Sequence, residues 1–102
     1  MNKQWAQIKN YALGKNYNLS VVFAGDKLIK NLNKKYRKKN KSTTVLSFSL
    51  SKKDGEIFLN KNLTKKQDKD YLFIHSLLHL KGFKHGPEMA KKELKIMEKF
   101  KL

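Results

Sequence analysis

An α+β fold is predicted by two kinds of apolar periodicity in one short chain: some stretches carry apolar residues at helical spacing, and others show the β-branched runs or strict alternation of strands. The hydrophobic fraction of 39% over 102 residues suits one domain, residues 1–102, with a modest core and a single site. No repeat, low-complexity segment or interdomain linker interrupts it. Trp5, Ile8 and Ala12 recur at helical spacing up to Gly14, predicting a first helix. Leu19 to Ala24 is short, apolar and rich in β-branched residues, predicting a buried strand. Asp26 is placed to N-cap a second helix that carries Leu28, Leu32 and Tyr36 on one stripe with Ile29 beside it, leaving a basic far face. Thr44 to Leu50 alternates, with Leu46, Phe48 and Leu50 on one side, and Asp54-Gly55 reads as a hairpin turn into a partner strand from Glu56 to Leu59. Tyr71 to Leu80 is apolar on nearly all sides apart from its histidines, predicting a buried helix that Gly82 can end in a left-handed cap. Gly86-Pro87 then restarts the chain, with Pro87 in the first turn of a last helix carrying Leu94, Ile96, Met97 and Phe100 toward the core.

The chain has no cysteine, which excludes disulfides and thiolate metal sites, so a transition metal would have to be bound by histidine and carboxylate. The segment from Met1 to Leu19 has no continuous apolar run and reads as neither signal peptide nor membrane span, so no membrane association and a cytoplasmic location are expected. Twenty-four basic residues against 8 acidic ones give a net charge of +16, which suits a polyanionic partner such as RNA. Part of that lysine excess reflects base composition; a local patch is the stronger sign. Lys34, Lys35, Arg37, Lys38, Lys39 and Lys41 fill six of eight consecutive positions and are the expected RNA-binding residues. Arg37 is also the only arginine in the chain. Its planar fork can grip phosphate oxygens in pairs, which a lysine point charge cannot do.

The chemistry concentrates in His75-Ser-Leu-Leu-His79-Leu-Lys-Gly82-Phe-Lys-His85, which holds all three histidines. Residues four apart stack on one helix face, so His75 and His79 can point at one ion at about 2.0–2.1 Å. A glycine turn just past the helix lets His85 approach as a third ligand. An isolated H-x-x-x-H pair also suits ordinary histidines of an amphipathic helix. Three polar rings on a buried helix and its following turn, however, need partners, and one divalent metal ion supplies them. Three neutral nitrogens leave a fourth position open, the arrangement of catalytic zinc, although nickel suits imidazole too and Glu88 remains a possible fourth ligand. Zinc peptidases carry H-E-x-x-H, with Glu as general base; Ser76 stands there, which disfavours peptide hydrolysis and leaves phosphodiester hydrolysis open.

The run His75 to His85 resembles the YbeY signature H-G-x-L-H-L-x-G-Y-D-H, with the histidines, both leucines and the glycine in register. Leu32-Asn-Lys-Lys-Tyr36-Arg37 resembles that family's L-N-x-x-Y-R, Thr43-Thr-Val45-Leu46-Ser47-Phe48 its P-T-D-V-L-S-F, and Gly55-Glu56-Ile57 its G-D-I. These four motifs keep the family's order and approximate spacing, and the similarity runs from Leu19 to the last helix. The resemblance implies a short mixed β-sheet packed with helices, and zinc on His75, His79 and His85. It also implies an essential catalytic arginine at Arg37 and a single-strand-preferring endoribonuclease acting in rRNA processing, with rRNA or the small ribosomal subunit as partner.

The departures fall beside the ligands. Ser76 replaces Gly, Phe83 replaces Tyr, Glu56 replaces Asp, Ser42 and Thr44 replace Pro and Asp, and Lys84 puts a positive charge where the family has the Asp before its last histidine. That lost carboxylate could have oriented a ligand, so metal binding can outlast activity. The stretch from Asn60 to Tyr71 is also short for the family, and its usual first strand is missing ahead of Trp5. Two functions follow: a metal-dependent endoribonuclease, and a non-catalytic ribosome-associated RNA-binding protein with a structural metal.

Overall fold

In a computed structural model that describes residues 1–64 and 66–102, seven elements follow one another along the chain: α1 (Lys3–Leu13), β1 (Asn18–Ala24), α2 (Asp26–Arg37), β2 (Val45–Ser51), β3 (Asp54–Asn60), α3 (Lys66–Lys81) and α4 (Pro87–Phe100). The short link between β3 and α3 includes residue 65, which lies outside the described residues. The strands form a mixed sheet in the order β1-β3-β2, with β1 parallel to β3 and β2 antiparallel to it. Helices α1, α3 and α4 cover one face, where Trp5, Ile8, Phe73, Leu77, Met89 and Ile96 pack on Ile57 and Leu59. Ile29 of α2 covers the other face with Ala24 and Leu46. Trp5 fixes α1 to α3 twice: its ring stacks on Phe73 at 4.1 Å, and its indole N–H donates to Asp70 at 2.7 Å. Among the described residues no helix is long and apolar enough to cross a membrane.

Five local expectations change. The strand from Leu19 to Ala24 lies at the sheet edge, where only Ala24 is buried and Phe23 is half exposed. Gly25, not Asp26, is the N-cap of α2, since the Asp26 carboxylate is drawn to Asn60 and Ser42. That helix is also rotated from the expected stripe: Ile29 and Asn33 face inward, while Leu28 and Tyr36 are exposed. The hairpin turns at Lys52-Lys53, and Asp54-Gly55 already belong to β3. Gly55 is needed for close approach instead, because a Cβ there would collide with the Tyr17 hydroxyl and meet Leu80 at 3.1 Å. In α4 the inward residues are Met89 and Ile96, with Met97 and Phe100 partly covered, and Leu94 points to solvent.

Asn60 ends the central strand as a fully buried polar tie. Its amide donates to Asp26 at 2.6 Å, to Ser42 at 2.9 Å and to the Thr43 carbonyl at 3.2 Å, and its side-chain oxygen accepts from the Asn62 amide at 2.9 Å. Buried polar groups persist only when satisfied in this way. These bonds hold the connection between α2 and β2 against the sheet.

Candidate metal centre

Helical spacing puts the His75 and His79 rings side by side on α3, with their Nε2 atoms 3.1 Å apart. The helix then ends in a Schellman turn: the Gly82 amide donates to the His79 carbonyl at 3.0 Å and the Phe83 amide to the Leu78 carbonyl at 2.9 Å. Gly82 sits at φ +110°, a conformation that side chains resist. This turn swings the chain back, so the His85 ring centre lies 4.9 Å from that of His75 and 4.6 Å from that of His79. One nitrogen from each ring falls within 4.8 Å of the others.

The partners of the outer nitrogens decide what those inner nitrogens can do. His75 Nδ1 lies 3.1 Å from the Glu93 carboxylate, and His79 Nδ1 lies 3.1 Å from the Phe83 carbonyl. Both partners only accept, so in neutral rings both Nδ1 atoms carry the proton and the Nε2 lone pairs face each other. Two lone pairs at that distance repel unless a proton or a cation lies between them. Burial pushes the His79 imidazole below its ordinary value; the Phe83 carbonyl pulls the other way, and His75 and His85 lower it further. A proton is thereby disfavoured and a metal cation fits. The donor set, three imidazoles without thiolate, suits a divalent ion of the zinc or nickel type.

Glu93 is the residue that sequence reasoning missed. It reaches His75 from α4 and is largely buried. Burial, then Glu93 itself, raises the Tyr71 pKa. Glu88, weighed above as a fourth ligand, is exposed and stands outside the histidine cluster. Its helical phase gives Glu93 away: Met89, Glu93 and Ile96 share the inward face of α4, so one carboxylate sits among core residues.

The three histidines line a cavity of about 720 Å³ together with Arg37, Lys39, Lys41 and Ser47. The Arg37 guanidinium donates to the Ser47 carbonyl at 2.6 Å and lies 5.2 Å from the centre of the Phe48 ring. Lys38 takes the left-handed conformation that ends α2, and the Lys38 and Lys39 amides both donate to the Asn33 carbonyl. The Asn33 side chain then donates to the Lys41 carbonyl at 2.9 Å. The chain therefore folds back at once, bringing Lys39 and Lys41 to the cavity. Lys34, Lys35 and Lys38 are exposed outside the lining, with Lys35 over the Tyr36 ring.

A family profile described as Endoribonuclease YbeY matches residues 2–101. The chain belongs to the YbeY family. It is similar to the Endoribonuclease YbeY of Campylobacter jejuni (strain RM1221), 35% identical over 102 residues that cover 82% of this chain and 76% of that one. The protein of the same name from Ehrlichia canis (strain Jake) is 35% identical over 101 residues, 79% of this chain and 66% of the other. That from Aquifex aeolicus (strain VF5) is 33% identical over 109 residues, 88% and 73%. This chain thus spans 66% to 76% of the length of these relatives.

The YbeY motifs that lie far apart in sequence converge in space. The L-N-x-x-Y-R motif ends α2, the T-x-V-L-S-F motif opens β2, and Asn33, Arg37, Thr43, Val45, Leu46 and Ser47 from these two line the cavity with the histidines. The G-x-I motif opens β3, where Gly55 admits Leu80 of the histidine helix against the sheet.

Proposed function

We propose that this chain is a cytoplasmic, metal-dependent endoribonuclease that prefers single strands and acts in rRNA processing and ribosome maturation. The observation that carries the reading is one cavity lined by three convergent imidazoles and by Arg37, Lys39 and Lys41. Family membership supports it, and so does a net charge of +16.

His75, His79 and His85 would hold one divalent ion, zinc by the donor set, with Glu93 and the Phe83 carbonyl keeping two of the rings aimed. When bound, that ion supplies Lewis acidity to a phosphodiester. Arg37 is positioned to take nonbridging phosphate oxygens with its guanidinium fork and to stabilise charge as it develops. Lys39 and Lys41 would hold the flanking backbone by its phosphates. Ser76 is buried and has no carboxylate, so it does not supply the general base of a peptidase. A flexible strand can lay one phosphate between the cations and the histidines, whereas a stiff duplex presents only its outer surface to such a cavity.

The test is metal content together with cleavage of single-stranded RNA before and after chelation. One ion per chain and cleavage that disappears with it are expected. Metal-loaded protein that binds RNA but never cuts it, including ribosomal RNA in assembled small subunits, would replace the enzyme with an RNA-binding module whose metal is structural.

A further inference from the structure

Behind the metal centre lies a second concave surface. A groove of about 250 Å³ runs between α1, the end of α3 and α4, lined by Tyr11, Lys81, Phe83, Lys92, Lys95 and Ile96. Its lining holds three lysines and no carboxylate. Lys92, Lys95 and Lys99 follow one another at helical spacing on one stripe of α4, stringing three charges along about 10 Å of helix. Among the described residues none of them joins an ion pair, while Glu93 of the same helix is turned away to His75. Lys99 lies 4.9 Å from the centre of the Tyr11 ring, which is 55% exposed and braced edge-on by Phe100 at 5.9 Å. An exposed, braced aromatic ring beside a row of unneutralised cations matches the alternation of base face and phosphate along a nucleic acid strand.

We propose that this groove is a second RNA tract, binding the part of a single strand that extends beyond the metal cavity. The proposal rests on the RNA-acting reading above and adds a surface to it. Phe83 joins the two places: its carbonyl holds His79, its ring lines the groove, and only Lys84 separates it from His85. A strand leaving the cavity past His85 therefore meets Lys84 and then the groove. Lys92 and Lys95 in the groove and Lys99 beside it take phosphates, and Tyr11 takes a base face. An acidic peptide would use the lysines but has no use for the ring.

The experiment compares the intact chain with Lys92→Gln/Lys95→Gln/Lys99→Gln, with Tyr11→Ala, and with Lys27→Gln/Lys30→Gln/Lys52→Gln, which removes the same charge from exposed positions elsewhere. Affinity for labelled single-stranded RNA of about 30 and about 8 nucleotides is read by anisotropy over a salt series, since one binding surface of this kind covers roughly 4–16 nucleotides. The α4 triple is expected to lose about tenfold or more on the long strand and its salt slope to fall by about 2, at roughly 0.7 per phosphate contact. Tyr11→Ala should lose about fivefold or more on the long strand, at the low end of what one stacked base contributes. The short strand and the metal content should not change. Equal losses in the two triples overturn the tract, as does a short strand that suffers as much as the long one. An unchanged Tyr11→Ala overturns base stacking and favours the acidic peptide. Cleavage is followed in the same samples: tract-dependent binding without cleavage sinks the nuclease reading and keeps the tract, and cleavage with tract-independent binding does the reverse.

Discussion

The two halves of the cavity lining are held in place by different means. His75, His79 and His85 come from one helix and the turn that ends it, so local backbone hydrogen bonds bring their rings together. Arg37 ends α2, and Lys39 and Lys41 follow in the connection to β2, which is placed by side chains of other elements. Asn33 holds Lys41, and Asn60 holds Ser42 and Thr43 across the end of the sheet. The histidine half is therefore assembled locally and its cationic half depends on the finished fold. Damage to the first should remove the metal and leave RNA affinity; damage to the second should do the opposite.

The largest expected effect is that of His79→Ala, since ligands of one ion act together. Elemental analysis should find the ion gone, and cleavage should be abolished while single-stranded RNA still binds. Unchanged occupancy would show that the cluster is not the metal site. Next comes Arg37→Lys, which should retain fold and metal but slow cleavage by ~10²–10³-fold, the usual cost of losing one stabiliser of developing charge. Equal rates for the two proteins would make Arg37 an ordinary solvated cation.

Glu93→Gln sharpens the contrast, because this carboxylate ties the histidine half to another helix. Metal affinity, measured by competition with a chromophoric chelator, should weaken by about 10–100-fold with helix content unchanged. An affinity equal to that of the parent would remove Glu93 from the centre. The smallest effect belongs to Asp26→Asn in the cationic half. Asn60, then Ser42 and Asn62, hold the Asp26 carboxyl below its ordinary value of 3.8, against a smaller opposing push from burial. A group whose pKa is lowered by folding adds stability above its unfolded value, and that stability is lost as pH falls through the lower folded value. The variant should thus unfold at lower urea than the parent at pH 7, with the gap closing below pH 3.8. A gap that stays constant with pH would mean that the carboxylate's charge plays no part.

What could be read from the sequence follows the same division. The histidine site was legible because an i, i+4 pair and a glycine stop are helix geometry, which needs no knowledge of the rest of the fold. The facing of α2 escapes apolar periodicity because its inward surface includes Asn33, a polar residue that such a pattern assigns to solvent. The Asp54-Gly55 pair carries a turn signature, yet its glycine serves contact with Tyr17 and Leu80, distant residues that no local pattern reveals. The edge position of β1 depends on pairing order, to which a single strand's composition is blind. Glu93 lay hidden among the lysines of α4, and only its position between Met89 and Ile96 marked it. The lysine patch was visible as a run, but which of its members reach the cavity depends on the reversal that Asn33 imposes at Lys38.

Closeness of the three ligands along the chain also has a thermodynamic consequence. His75 to His85 spans eleven residues, so gathering these ligands costs little loop-closure entropy even in the denatured ensemble. An ion that binds folded and denatured chains alike raises the melting temperature less than its affinity for the folded form implies. Only the share of affinity contributed through Glu93 and the packed end of α3 is specific to the native state. Saturating metal should therefore act on this protein as a weak thermal stabiliser, and the melting point should track the Glu93 contact more closely than the total metal affinity.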